Sequence, residues 1–189
     1  MQSNLKNLAE ELRGKYILCI CEGKAEEAII NLLLENDCLV FQKQDLLNGK
    51  CTTIRTAARI EEEFLRLQYK KEVAIVRILD RDKEKFTLSK LYRDRFPVYS
   101  ICTKPEIEIL HLIYEGKWHD YKKHKMKPSV FFHKLHPGES IKSEDFVESF
   151  YGSYENLIHA ICEYHRITSY PAVYDLSDLL KPEVKRKQR

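Results

Sequence analysis

Short apolar runs alternate with amphipathic segments over the first 116 residues of the chain. Four runs are apolar almost throughout, which is typical of strands buried on both faces of a parallel sheet: Tyr16–Cys21, 38–41, Val73–Leu79 and Val98–Cys102. Apolar residues at helical spacing predict helices at 4–13, 24–36, 53–69, 83–95 and 106–114. This order predicts an α/β core over residues 1–116, with a mostly parallel four-stranded sheet flanked by helices and right-handed crossovers.

The pattern changes in the last part of the chain, residues 117–189. Its first stretch, 118–137, is polar, basic and aromatic. Helical spacing then returns at 143–150 and 154–164, and 171–180 has the pattern of an extended segment or a short helix. We therefore expect a mostly helical C-terminal extension that packs on the core and ends in a basic tail.

The composition is that of a globular protein from a reducing compartment. No apolar run approaches the roughly 18 residues of a membrane span, and the N-terminus lacks the apolar core of a signal peptide. The six cysteines include no CxxC pair and several lie in apolar runs, so we interpret them as reduced thiols. We expect a cytoplasmic protein without membrane contact, and the pattern leaves open whether it forms a homo-oligomer.

Acidic residues directly follow two of the predicted strands. Glu22-Gly23 follows the first, and Asp80-Arg81-Asp82 follows Val73–Leu79. The carboxyl ends of parallel strands meet at one edge of a sheet, and alternation points Asp80 and Asp82 the same way if the chain stays extended. Three carboxylates there would repel one another without a cation, and oxygen-only ligands suit Mg²⁺ or Mn²⁺. Solvated loop acids are the alternative, which these short motifs leave open.

Three segments together resemble the Toprim domain, the metal-binding catalytic fold of topoisomerases, primases and several nucleases. Glu22-Gly23 and Asp80-x-Asp82 match the acidic motifs that follow its first and third strands. The segment Lys104-Pro105-Glu106-Ile107-Glu108-Ile109-Leu110 is similar to the Asn-Pro-x-Phe-Glu-x-Trp segment of RloB-like proteins. Those proteins, like the OLD-type Toprim proteins, belong to bacterial restriction and phage-defence loci. The chain departs from their pattern at Ala25, Lys104 and Leu110.

The resemblance implies a Toprim-like, Rossmann-like fold and an Mg²⁺-dependent nuclease that cleaves nucleic-acid phosphodiester bonds. It implies that Glu22, Asp80, Asp82 and Glu108 are catalytic, and that Glu22, Asp80, Asp82 and Glu26 hold Mg²⁺ or Mn²⁺. Glu106 and Glu108 lie about 200° apart on a helix, so only one can face the site, and the family pattern favours Glu108. The setting it implies is phage defence, with a partner ATPase.

Two other functions are compatible with the same residues. The first is a Toprim-like module that binds nucleic acid or a protein and cleaves nothing. The second is a phosphotransfer or nucleotide-processing enzyme on a similar sheet. Thermal stabilisation by Mg²⁺, absent when Asp80 is replaced, would separate a metal enzyme from a binding module.

Basic residues flank the acidic motifs along the chain. Lys104, Lys122, Lys123, Lys125 and Lys127 are the candidate nucleic-acid-binding residues, and the tail 181–189 is also basic. Solvated surface lysines are the alternative. The aromatic residues among them, such as Trp118 and Phe131, either stack on bases or dock the extension on the core.

A separate set of possible metal ligands lies in the predicted helix 154–164 and just after it. His159, Cys162 and His165 are spaced three residues apart, so neighbours in the set could share a metal. No fourth ligand has convincing spacing, and an ordinary helix with one buried cysteine is the alternative.

Overall fold

A central parallel sheet organises the chain. The computed structural model describes residues 7–80, 85–168, 170 and 173–187. Its sheet contains β1 (Tyr16–Cys21), β2 (Val73–Leu79) and β3 (Val98–Cys102), all parallel and in the order β1-β2-β3. Every residue of the central strand β2 is buried, Arg77 included, as a run that is apolar at its other positions predicts. The α/β class and the parallel sheet are therefore confirmed.

The prediction of a fourth strand at 38–41 is wrong. The sheet has three strands within the described ranges, and this segment pairs elsewhere. Leu39 forms an isolated antiparallel bridge with Leu180, and the Val40 N–H donates to the Leu179 carbonyl at 2.8 Å. Cys38, Leu39 and Phe41 are buried and Val40 is partly buried, because the segment packs against the C-terminal part of the chain.

Helices cover both faces of the sheet. They are α1 (Leu8–Leu12), α2 (Lys24–Glu35), α3 (Ala57–Ile60), α4 (Ile109–Tyr114), α5 (Trp118–Tyr121), α6 (Pro128–Leu135), α7 (Glu144–Tyr151), α8 (Tyr154–Thr168), α9 (Leu176–Leu179) and α10 (Pro182–Arg186). A π-helical turn, Glu61–Leu65, continues α3, and two 3₁₀ turns lie at Lys43–Asp45 and Leu47–Gly49.

Three of the predicted helices differ from the structure. The helix predicted at 106–114 begins only at Ile109, so Glu106 precedes it and Glu108 is its N-cap residue. The helix predicted at 53–69 is shorter, because α3 begins only at Ala57 and its π-helical continuation ends at Leu65. The described part of 83–95, residues 85–95, contains extended chain and turns and no helix. Leu88 in this segment and Phe96, which follows it, are buried in the cluster that contains strand residues Leu18 and Ile75. Their side chains therefore pack the segment against the sheet.

The two faces of the sheet carry separate apolar clusters. On one face Leu18, Ile20 and Ile75 pack with the α3 region. On the other face Cys19, Cys21 and Val76 pack in the larger cluster, which includes residues of α2, α4, α7 and α8. Helix α4 packs on α8 and α6, and α2 packs on α7. The C-terminal extension thus builds the main core together with the sheet.

None of the helices in the described ranges is long and apolar enough to cross a membrane.

Candidate carboxylate site

Two of the predicted site residues stand at the carboxyl ends of adjacent strands. Glu22 directly follows β1 and Asp80 directly follows β2. The Glu22 N–H donates to the Ile78 carbonyl at 3.1 Å, so the β1–β2 ladder continues to Glu22. Parallel pairing of Cys21 with Ile78 therefore sets Glu22 beside Asp80, as the sequence motifs predict.

Hydrogen bonds join Asp80 to three segments of the chain. Its backbone N–H donates to Glu22 Oε2 at 3.1 Å, and its Oδ1 accepts the Ile107 N–H at 3.0 Å. Its carboxyl group also hydrogen-bonds to the carboxyl group of Glu26 in the first turn of α2. Asp80 is thus the centre of the carboxylate site, which we define as Glu22, Glu26, Asp80 and Glu108.

Glu26 and Glu108 form the buried floor of this site. Their exposed fractions are 5% and 2%. Glu108 is the N-cap residue of α4, and both side chains act electrostatically on Asp80. Lys142 pairs with Glu108, with 3.5 Å between Nζ and Oε1, and the Lys142 side chain is 61% exposed.

Burial and the neighbouring carboxylates of Glu26 and Glu108 raise the pKa of Asp80 to about 8. Burial is also the main reason why the pKa of Glu26 is raised, with the charge of Glu108 adding to it. The hydrogen bond between the two carboxyl groups needs a proton on one of them, and the raised pKa of Asp80 makes Asp80 the group that keeps it near neutral pH. A bound cation would stabilise the ionised carboxylates, so the proton would be released when the cation binds.

Glu106 belongs to a different network. Its Oε2 accepts hydrogen bonds from the Ser129 N–H at 3.1 Å and the Ser129 hydroxyl at 2.6 Å, and its Oε1 lies 3.1 Å from Lys127 Nζ. Although burial acts to raise it, these partners hold the pKa of Glu106 below its usual value. The structure therefore brings Glu108, and not Glu106, into the carboxylate site.

Gly23 gives the Glu26 carboxyl group room to fold back over the start of α2. A Cβ at position 23 would lie 3.2 Å from Glu26 Oε2, although the extended backbone of Gly23 would accept any residue. We expect Gly23→Ala to lower the free energy of unfolding by about 1 kcal/mol, through this contact and the poorer helix cap. Urea unfolding measures the loss. In a Glu26→Ala background, the loss of unfolding free energy caused by Gly23→Ala should be smaller. An equal loss in both backgrounds would mean that the contact with Glu26 does not contribute.

Sequence reasoning missed two cations that pair with acids of the carboxylate site. Arg55 Nη1 lies 3.4 Å from Glu22 Oε1, and Lys142 reaches Glu108 as described above. Both cations lie on loops far from the acids in sequence, and no local pattern in the chain marks them. They give the site a positive rim beside Glu22 and Glu108.

The predicted nucleic-acid-binding lysines lie on the surface and largely contact other side chains. Lys122 Nζ lies 5.2 Å from the centre of the Trp118 ring, and Lys104 Nζ lies 4.9 Å from that of Tyr170. Lys123 and Lys127 pair with Asp120 and Glu106, and Lys125 is exposed.

The aromatic residues of the same stretch mainly dock the extension. Phe131 and Phe132 are buried in the main core, and Trp118 and Tyr121 pack partly buried against it. This favours docking over base stacking for the buried rings.

Two further predictions concern Asp82 and the set of possible metal ligands His159, Cys162 and His165. Asp82 lies outside the described residues. His159, Cys162 and His165 border a surface pocket with Ser177 and Lys185, but His165 Nδ1 hydrogen-bonds to Asp175 Oδ2 at 2.7 Å. Within the described ranges these three side chains do not form a set with all ligand atoms within 4.8 Å of one another, so they are not grouped as a three-ligand metal site.

The carboxylate oxygens of the site are the ligands that a hard cation prefers, but in the structure they do not surround a single point. Across the described ranges, the one set of three or more candidate ligand side chains with all ligand atoms within 4.8 Å of one another is Cys19, Cys21 and Cys51. Mg²⁺ commonly uses only one or two carboxylates together with water, so open spacing suits it. Burial, with the charges of Glu26 and Glu108, raises the pKa of Asp80, and a bound cation would offset this cost of ionising it.

Comparison of the chain with protein-family models, with curated proteins and with solved structures finds no match. A function therefore has to be inferred from the geometry and the sequence motifs.

Proposed function

We propose that the protein is an Mg²⁺- or Mn²⁺-dependent nuclease with a Toprim-like core, which cleaves phosphodiester bonds of DNA or RNA. The observation that carries this proposal is the meeting of Glu22, Glu26, Asp80 and Glu108 at the carboxyl edge of a parallel sheet. Sites in open α/β sheets form at this edge. The order of the acidic motifs along the chain supports the Toprim-like assignment.

Glu22, Asp80 and Asp82, with Glu26, would hold the metal ion. When bound, the ion would polarise the phosphate and neutralise charge on the leaving oxygen. The Glu22 side chain is 30% exposed at the mouth of the site, and the Asp80 N–H donates to one of its oxygens. In that position Glu22 can take or return a proton at Oε1, the atom that faces Arg55.

The cations at the rim would receive the polyanionic substrate. The Arg55 side chain is 47% exposed and Lys142 is 61% exposed, so each could exchange its carboxylate partner for a phosphate. The exposed lysines Lys122, Lys123 and Lys125 would extend this binding along the nucleic acid. By the RloB-like resemblance we also propose an anti-phage role beside a partner ATPase.

One observation favours a non-catalytic binding module as the second candidate. Asp80, Glu22 and Glu108 are each already bonded within the chain, to main-chain N–H groups or to cations. Such a site is stable as a purely structural carboxylate cluster. In that case the surface lysines would bind nucleic acid and no cleavage would follow.

Thermal unfolding with and without metal separates the two candidates. At a tenfold excess of Mg²⁺ or Mn²⁺ over its Kd, we expect the Tm of the wild type to rise by about 3–6 °C. The rise should disappear in Asp80→Asn and persist in Glu106→Gln, which alters a buried carboxyl group outside the carboxylate site. A wild-type Tm unaffected by millimolar metal would favour the binding module.

A further inference from the structure

Three thiols meet inside the protein on the sheet face that packs against α2. Cys19 and Cys21 belong to β1, and Cys51 lies in the loop before α3. Their exposed fractions are 0%, 0% and 4%, and their sulfur atoms all lie within 4.8 Å of one another. All three are free cysteines.

The backbone explains why these thiols converge. Cys19 and Cys21 are two residues apart on a strand, so both point to the same face. Thr52 pairs with Ile20 in parallel register: the Thr52 N–H donates to the Cys19 carbonyl and the Cys21 N–H donates to the Thr52 carbonyl, each at 2.9 Å. Cys51, one residue earlier, therefore turns its side chain to the face of Cys19 and Cys21.

The spacing of the sulfur atoms suits a thiolate-bound metal. Zn–S bonds of about 2.3 Å at tetrahedral angles set sulfur atoms about 3.8 Å apart, which small side-chain rotations can reach from the observed arrangement. Thiolates are soft ligands and select zinc-like ions over Mg²⁺. The carboxylate of Glu27, on α2, acts electrostatically on Cys19 and Cys51 and is paired with the exposed Lys24 at 2.7 Å.

We propose that Cys19, Cys21 and Cys51 bind one thiophilic divalent cation, Zn²⁺ in the cell. The ion would have a structural role. Strand β1 is an edge strand, and the loop that carries Cys51 covers its outer side through Thr52 and the Ile17–Leu46 bridge. A metal would fasten this loop to the strand that positions Glu22.

Titration of the reduced, tag-free full chain with Cd²⁺ under anaerobic conditions tests the proposal, because cadmium thiolates absorb in the ultraviolet. We expect a charge-transfer band that saturates at one Cd²⁺ per chain. A tenfold excess of Zn²⁺ over its Kd should raise the Tm by about 3–6 °C. Cys51→Ala should lose the band. Cys38→Ala, which removes an equally buried thiol, and Cys162→Ala should keep it.

Two results would overturn the proposal. The first is a folded wild-type protein without the band, which would leave the three thiols as small buried hydrophobes; this result needs no variant to fold. The second is an undiminished band in Cys51→Ala or Cys51→Ser. Asp80→Asn should keep the band, so the outcome is independent of the carboxylate site and of nuclease activity.

Discussion

Replacing Asp80 by asparagine is expected to reduce metal-dependent cleavage of nucleic acid by at least about a hundredfold. A metal ligand at the centre of the site affects both metal affinity and the charge that the metal stabilises, and single groups of this kind contribute about 10²–10³ in rate. The substitution is conservative for the fold. The asparagine oxygen can still accept the Ile107 N–H, its amide can donate to Glu26, and the backbone bond to Glu22 is unaffected.

Initial rates on plasmid, single-stranded DNA and total tRNA, each with Mg²⁺ or Mn²⁺, measure this effect. Glu22→Ala should be similarly inactive, since it removes the exposed carboxylate at the mouth of the site. Glu106→Gln is the matched control and should stay near the wild-type rate, because its partners Ser129 and Lys127 lie outside the carboxylate site. Equal cleavage by wild type and Asp80→Asn would refute the assigned role of Asp80.

The strands of the sheet could be predicted from sequence because burial on both faces leaves a continuous apolar run. The predicted bounds of β1, β2 and β3 agree with the structure. The same reasoning failed at 38–41, where the run is short and its partner, Leu180, is far away in the chain. Apolar residues record that a segment is buried, but they do not record what buries it.

Some residues of the candidate site could also be predicted from the sequence, and others could not. Glu22 and Asp80 could be predicted because an acid that follows a buried strand has a fixed position at the sheet edge. Glu26 and Glu108 required the resemblance to a known family. Arg55 lies in the predicted helix 53–69, but that stretch is a loop in the structure until Ala57, and Cys51 lies in the same loop. Only the folded chain therefore reveals that Arg55 contacts Glu22 and that Cys51 meets the thiols of β1.

The apo protein is expected to lose stability as the pH rises from about 4 to about 8. The pKa of Asp80 is about 8 in the folded chain, whereas an unfolded aspartate has a pKa of about 3.9. Between these values the folded state holds a proton that the unfolded state has released, so each rise in pH favours unfolding. The slope ends above the folded pKa, where both states are ionised.

The size of this effect follows from the pKa difference. Each pKa unit corresponds to about 1.4 kcal/mol, but Asp80 is only half-buried, so screening should reduce the total to about 2 kcal/mol. For a chain of this size that lowers the Tm by about 4–8 °C. Calorimetry in a chelator at about pH 5 and about pH 8.5 brackets most of the transition.

Two variants and added Mg²⁺ test whether Asp80 causes the decrease of Tm with rising pH. Asp80→Asn cannot ionise, so its Tm should change much less with pH, while Glu106→Gln should keep the wild-type slope because the pKa of Glu106 is lowered and not raised. Saturating Mg²⁺ should also flatten the wild-type curve, since a cation favours the ionised carboxylates that high pH produces. Equal slopes for wild type and Asp80→Asn would show that Asp80 does not hold the extra proton. Its carboxyl group would then already be charged at neutral pH without a cation.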